Sequence, residues 1–297
     1  MAPRGAKDDL MVRYLLRALG HMAVLPFGIR DRVIRRFANP DHMPSTPFEC
    51  AFFGMRYAGD LARFLDWTVY FYGAYEPSLL QFLRDTTGRL KDPVFVDVGA
   101  NVGQHTLFMA RLARRVHAFE PWGPAAEILE ARVRANGLDN VTLHRVALSD
   151  TTQELTYYAP VGANTGTGSF LPYYSSNNRP SNSLPAVAGD EYFAEAIPRV
   201  DLIKIDVEGY ETRVLSGLRG TIARDRPIIV LELSRPTLEQ LSSPDSLAIA
   251  PNSTLLRLSE RRRGYALTTL RLSDGQGHAV VCPSEKLPAL SYRTASR

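Results

Sequence analysis

The sequence predicts an α/β fold with a mostly parallel central sheet and helices on both faces. Three observations carry that expectation. Short apolar runs alternate with helical-period segments between residues 93 and 235. Two of these runs, 94–98 and 202–206, lead into turns rich in Gly and acidic residues, the usual ligand edge of such a sheet. A chain of 297 residues that is 45% hydrophobic and 22% charged can fill a core without disulfides or structural metals.

Taken in order, residues 10–22 place Met11, Leu15, Leu19 and Met22 at helical spacing, with Arg13 and Arg17 elsewhere on the surface. Pro26 and Gly28 break this pattern. A second basic amphipathic stretch follows, with Ile29, Val33, Ile34 and Phe37 on its apolar side. Pro40, Pro44 and Pro47 mark a linker. The expected organisation is therefore a basic helical extension with linker over 1–47 and a body over 48–297, whose core is 93–235. Residues 48–75 are dense in aromatics and serve as core or pocket wall. A helix is predicted over 77–90, beginning at a proline. Strands at 94–98, 115–119 and 141–148 alternate with helices at 103–114 and 124–136. Residues 150–200, rich in Asn, Gly, Ser, Pro and Tyr, form an insertion with an irregular hairpin and a helix near 189–196. Strands at 202–206 and 228–233 flank a helix at 210–224. Residues 254–264 read as helical, followed by two antiparallel edge strands at 265–272 and 278–282.

The net charge of +4 is unevenly placed. Residues 1–39 hold eight basic and three acidic side chains, a balance of +5, which leaves −1 for the rest. The excess thus lies on an amphipathic segment, which either packs on the body as a helical cap or makes peripheral contact of 1–39 with a membrane surface, and which points away from a nucleic-acid partner. Cys50 and Cys282 stand far apart, and no Cys/His spacing suits structural zinc. Residues 21–29, the best apolar run, are too short for a bilayer and contain Pro26. A cytoplasmic protein is expected, with any membrane contact at the inner face.

Three motifs carry the chemistry. In the first, Asp97-Val-Gly-Ala-Asn-Val-Gly103, a strand meets a helix through glycines that admit a ligand to the backbone. The nicotinamide fingerprint fails here, because its second and third glycines are replaced by Asn101 and Gln104. A phosphate-binding P-loop fails outright. Asp97 instead suits a ligand ammonium group, such as that of S-adenosyl-L-methionine. In the second motif, Glu120 of Phe-Glu-Pro follows the next strand, where an acid accepts from ribose hydroxyls. In the third, Lys204-Ile-Asp-Val-Glu-Gly-Tyr-Glu211, strand alternation puts Lys204 and Asp206 on one face. Asp206, Glu208 and Glu211 gather at the strand end. A structural Lys204–Asp206 ion pair is the competing reading for that pair.

These motifs, together with Val146-Ala-Leu-Ser-Asp150, Tyr75-Glu-Pro77, Gly166-Thr-Gly-Ser169, Arg226-Pro227 and Leu231-Glu232, resemble the FkbM family of S-adenosylmethionine-dependent methyltransferases over about 70–235. The resemblance implies a Rossmann-like seven-stranded methyltransferase fold. It also implies methyl transfer to a hydroxyl on a small-molecule or glycan acceptor: a sugar, glycolipid, glycan or polyketide. By position, Asp97, Gly99, Asn101 and Gly103 would hold the methionine part, Glu120 the ribose, and Ala147 and Leu148 the adenine. Asp206 and Glu208 would face the acceptor. Gln104-His105 departs from the aromatics common at this place in the family.

Candidate catalytic residues are Asp206, Glu208, Lys204 and His105, with Asp206, Glu208 and His105 as candidate bases. A divalent metal on Asp206, Glu208 and Glu232 is compatible with these residue types, although the spacing does not require it. Tyr157, Tyr158, Tyr173 and Tyr174 of the insertion either stack on an acceptor or pack the insertion down. The competing functions are a non-catalytic cofactor-binding module, an N-methyltransferase, a nicotinamide oxidoreductase and a nucleic-acid methylase. The sequence does not choose an acceptor or an oligomeric state.

Overall fold

The computed structural model describes residues 6–22, 24–241, 251–261 and 264–290. Its packing divides into two units at Tyr75/Glu76, with Pro160–Gly166 grouped with the first. This division lies beyond the 47/48 boundary expected from the prolines, because residues 48–75 pack with the N-terminal helices.

The first unit contains α1 (Ala6–His21), α2 (Phe27–Phe37), the antiparallel hairpin β1 (Pro47–Phe52) and β2 (Met55–Asp60), and α3 (Phe64–Tyr72). The aromatic stripe is its core. Trp67, Phe71 and Ile34 are fully buried, and Trp67 Nε1 donates to the Ala38 carbonyl at 2.7 Å. Buried Asp66 knits the unit together, accepting from Tyr57 Oη at 2.8 Å, Asp60 N at 3.0 Å and Arg63 Nε at 2.7 Å. The helical spacing in α1 is present and divided: Leu19 packs on the core beside buried Leu16, whereas Met11, Leu15 and Met22 are exposed.

The second unit begins with α4 (Pro77–Thr87), followed by β3 (Val94–Val98), α5 (Gln104–Ala110), β4 (Arg115–Phe119), α6 (Gly123–Ala135) and β5 (Val141–His144). Next come β6 (Ala147–Ser149), β7 (Gln153–Ala159), β8 (Arg179–Ala188) and α7 (Gly189–Ala196). They lead to β9 (Leu202–Ile205), α8 (Glu211–Gly217), α9 (Arg219–Asp225), β10 (Ile228–Leu233) and α10 (Arg235–Gln240). The unit closes with β11 (Ser253–Glu260), β12 (Tyr265–Thr269) and β13 (Gly277–Pro283).

The main sheet has the order β12-β11-β13-β10-β9-β3-β4-β5. β5, β4, β3, β9 and β10 run parallel, whereas β13, β11 and β12 join through antiparallel pairs. Its seven strands from β5 to β11 make the expected Rossmann-like sheet, and β12 adds an eighth at the edge. Val96, Val98, Ile203, Ile205, Ile229 and Leu231 form its buried centre. Runs this apolar belong between two layers of helices.

Two elements differ from the sequence expectation. The helix expected over 254–264 is absent from the described part, 254–261 and 264: Leu256 and Leu258 alternate inward along β11, and pairing with both β13 and β12 sets the period at two. The run 141–148 divides into β5, in the main sheet, and β6, which pairs with β8 in a separate three-stranded sheet with β7. β13 is accordingly internal, not an edge. No helix among the described residues is long and apolar enough to cross a membrane.

Candidate active site

The sheet order brings the carboxyl ends of β3, β4, β9 and β10 side by side, so the motifs meet although Asp97 and Glu232 lie far apart in sequence. At the end of β3, Gly99 takes a left-handed conformation (φ +78°), and a Cβ there would overlap the Asp206 carbonyl oxygen. Only glycine satisfies both constraints. The amides of Gly99 and Ala100 both donate to the Phe119 carbonyl at 3.0 Å, turning the loop towards β4. Gly103 (φ +86°) opens α5 against Leu129.

Glu120 lies under that loop. Its Oε2 accepts from Asn101 N and its Oε1 from Trp122 N, each at 2.8 Å. Burial pushes its carboxyl up to about 7, against the pull of these two amides. A carboxylate offers about four lone-pair sites, so each oxygen can accept a further donor. Beside it is an apolar cleft lined by Val98, Phe119, Pro121, Ala147, Leu148, Phe170 and Tyr210. A carboxylate next to an apolar cleft is the kind of arrangement that can take a ligand with a hydroxylated and an apolar part.

The acidic side begins at Lys204. Register pairs it with Asp97 across β9 and β3. Its Nζ lies 3.1 Å from Asp206 Oδ2 and 3.6 Å from Asp97 Oδ1. Burial opposes its charge, but Asp206 and Asp97 outweigh this and raise its pKa. Asp97 is fully buried, and burial raises its carboxyl despite Lys204 and a 2.6 Å bond from Thr106 Oγ1. The ion pair considered for Lys204 is therefore present, and it includes both motif acids.

Glu208 sits in a left-handed turn (φ +55°), with its carbonyl accepting from Ser169 Oγ at 2.7 Å. Burial and the neighbouring Asp206 push its carboxyl up to about 8. On β10, burial, Asp206 and Glu208 push Glu232 up to about 10. Oxygens of Asp206, Glu208 and Glu232 lie within 4.8 Å of one another, a hard-oxygen set able to hold a divalent cation. Glu211 does not join them. Its Oε1 accepts from Val207 N at 3.0 Å and Gly209 N at 3.2 Å, and Thr237 Oγ1 donates to its Oε2, so it braces the turn.

The insertion divides its tyrosines. Buried Tyr157 packs between Trp122 and Phe170, whereas Tyr173 is exposed. Tyr174 lies against Glu208, and burial with that acid raises its phenol pKa above the ordinary range.

His105 is buried in the first turn of α5, its Nε2 3.5 Å from Glu76 Oε2. Burial, Lys204 and His278 hold it neutral. Glu76 Oε1 lies 3.2 Å from His278 Nε2. Burial opposes protonation of His278, but Glu76 prevails and raises its pKa. Sequence reasoning gave no role to Glu76 or His278. Glu76 stood inside the Tyr75-Glu-Pro77 motif and adopts a left-handed backbone (φ +50°); His278 lay beyond the motifs that carry the resemblance and gave no signal of its own.

Residues 97–285 match the sequence profile of the methyltransferase FkbM domain. The hexuronic acid methyltransferase AglP of Haloferax volcanii is 31% identical over 143 residues, covering 47% of this chain and 56% of AglP. The AMB antimetabolite synthetase AmbE of Pseudomonas aeruginosa is 30% identical over 186 residues, covering 50% of this chain and 9% of AmbE. The solved structure of methyltransferase FkbM from Methylobacillus flagellatus KT gives a TM-score of 0.41 at 17% identity, over 72% of this chain and 52% of that one. The chain thus spans just over half of AglP and a small part of AmbE.

Proposed function

The chain belongs to the FkbM methyltransferase family, and from that premise we propose that it transfers a methyl group from S-adenosyl-L-methionine to a hydroxyl oxygen of a sugar or glycan-type acceptor. The observation that carries this reading is the juxtaposition, along one sheet edge, of an apolar cleft next to Glu120, lined by its neighbours Phe119 and Pro121, and the clustered carboxylates of Asp206, Glu208 and Glu232. A hexuronic acid methyltransferase among the relatives favours a sugar acceptor.

The residues fit the cofactor. Gly99 keeps the loop clear of side-chain bulk, Glu120 retains acceptor sites for two hydroxyls, and Ala147 and Leu148 offer a flat apolar wall. S-adenosyl-L-methionine supplies, when bound, a methyl carbon activated by a sulfonium leaving group. What remains for the protein is to orient an acceptor hydroxyl and remove its proton. Glu208 matches that task best: its carboxyl, pushed up to about 8, is a stronger base than an ordinary carboxylate and is half-ionised near pH 8. Lys204 fixes Asp206 at the strand end, where it can accept from the same acceptor. His105 is the weaker base, since its burial and the cationic groups around it disfavour proton uptake.

Isotopically labelled methyl transfer from S-adenosyl-L-methionine into a panel of hexuronic acids, neutral sugars and glycolipids tests this reading. Glu208→Gln should lower kcat by about 10²–10⁴-fold with unchanged cofactor affinity. Full turnover by that variant, or transfer to amines only, would overturn the assignment.

A further inference from the structure

We infer that α1 and α2 form a docking surface for an anionic phospholipid bilayer. Ten of the fourteen large apolar side chains exposed among the described residues lie between Leu10 and Phe37. In α1, Leu10, Met11, Tyr14, Leu15 and Ala18 fall within an arc of about 140° on the helix wheel, and all five are exposed. The opposite side is the packed one. Leu16 is buried there, and a Cβ on Gly20 would overlap the Phe71 carbonyl oxygen, so α1 cannot roll to hide its outer face. In α2, Ile29, Val33 and Phe37 make a second exposed stripe, while Ile34 is buried.

Water-facing helix surfaces are ordinarily polar, and contiguous apolar exposure of this kind marks a contact site. The charge identifies the partner. Arg32 and Arg36 are exposed on the flanks of the α2 stripe and make no ion pair with a described residue. Asp31, the one acid within residues 10–37, is engaged by Arg35 at 3.0 Å and Tyr72 Oη at 2.9 Å. An apolar face edged by arginines with its acid neutralised complements lipid tails beneath anionic headgroups. A second copy of the chain fits less well, because a two-fold pairing of the same face would set these arginines against one another. The inference is independent of the methyl-transfer reading, because it uses none of the active-site residues.

The test is co-sedimentation of the full-length protein with phosphatidylcholine vesicles, with and without phosphatidylglycerol, at low and high salt. The protein should pellet with the anionic vesicles, and high salt should release it. Arg32→Gln/Arg36→Gln should weaken binding by about 25-fold, roughly fivefold per arginine. Leu15→Ser/Val33→Ser/Phe37→Ser should weaken it by at least about tenfold, with cofactor affinity and thermal unfolding unchanged. If the serine variant unfolds, the arginine variant carries the test alone. The inference is overturned if the unmodified protein stays in the supernatant with anionic vesicles, or if both variants pellet like it. It is also overturned if the protein is a dimer in solution that the serine substitutions split, which would assign the face to a second copy.

Discussion

Glu120→Gln probes the proposed nucleoside site most directly. The Glu120 carboxyl, ordinarily at 4.5, is pushed up to about 7 by burial. That displacement corresponds to about 3 kcal/mol of disfavoured ionisation. The folded form holds the proton more tightly than the unfolded chain, so this group's stabilising contribution is fully present below pH 4.5 and is lost as pH rises through about 7. Ribose hydroxyls donate to the ionised carboxylate, so binding draws on the form present above pH 7. Affinity for 5′-methylthioadenosine, whose ribose does not titrate in this range, should therefore fall towards tenfold per pH unit on the acid side of about 7. In Glu120→Gln the affinity should be flat with pH and, at about pH 8, lower by about 10–100-fold, the worth of a charge-assisted hydrogen bond. The amide NH₂ meets either the Asn101 or the Trp122 N–H, a loss of about 1–3 kcal/mol. Removal of the buried charge nearly offsets that loss, so thermal stability should change little at pH 8. Isothermal titration across the range is the assay. A pH-independent affinity in the unmodified protein, or full affinity in the variant, would refute the assignment of Glu120 to the ribose.

Four further outcomes follow from the same geometry. Gly99→Ala must place a Cβ at φ +78° against the Asp206 carbonyl, so it should cost more than about 2 kcal/mol in urea unfolding and abolish nucleoside binding. Lys204→Met leaves Asp97 and Asp206 without their cation and should cost about 3–5 kcal/mol at pH 8, with the loss shrinking at pH 5; a cost below about 1 kcal/mol at pH 8 would show that the pair is not stabilising. Glu232→Gln removes a carboxyl pushed up to about 10, whose stabilising contribution is lost as pH rises through that value, so Tm should rise by roughly 5 °C or more at pH 9 and hardly at pH 4; if the Asp206–Glu208–Glu232 set binds Mg²⁺, the metal should raise Tm in the unmodified protein and not in this variant. Glu76→Gln removes the anion that raises His278, so that histidine should titrate at lower pH by proton NMR; an unchanged titration would separate the two residues.

The sequence made legible what is local and periodic. The Gly99 turn, the acid ending β4 and the Lys204–Asp206 spacing are each written within a few residues, and sheet order then brings them together. What escaped depended on long-range pairing. The 254–264 segment looks helical until β13 and β12 flank it, after which inward Leu256 and Leu258 fix a strand. Glu211 looked like a third site acid until its carboxylate turned to the amides of Val207 and Gly209. In α1 the period was correct but the apolar spacing 11, 15, 19, 22 names a face without naming what lies against it: Leu19 packs on the core while Met11, Leu15 and Met22 are exposed. His278 shares its pairing position with Glu232 across β13 and β10, a neighbour relation invisible before the register is known.

The distribution of charge explains why one acid in the cluster is suited to take a proton. Lys204 lies against Asp97 and Asp206, which leaves Glu208 and Glu232 without a cation of their own. Two buried carboxyls next to a third cannot all ionise cheaply, and both rise. Glu232 rises furthest and has a buried oxygen without a hydrogen-bond partner, so at neutral pH it holds its proton. Glu208 rises only to about 8, and the Tyr174 phenol beside it favours its ionised form. A general base works best when its pKa lies near the working pH. The same repulsion makes the cluster costly in the ligand-free protein, and with Asp206 held by Lys204 it leaves Glu208 as the acid on which the proposed base role rests.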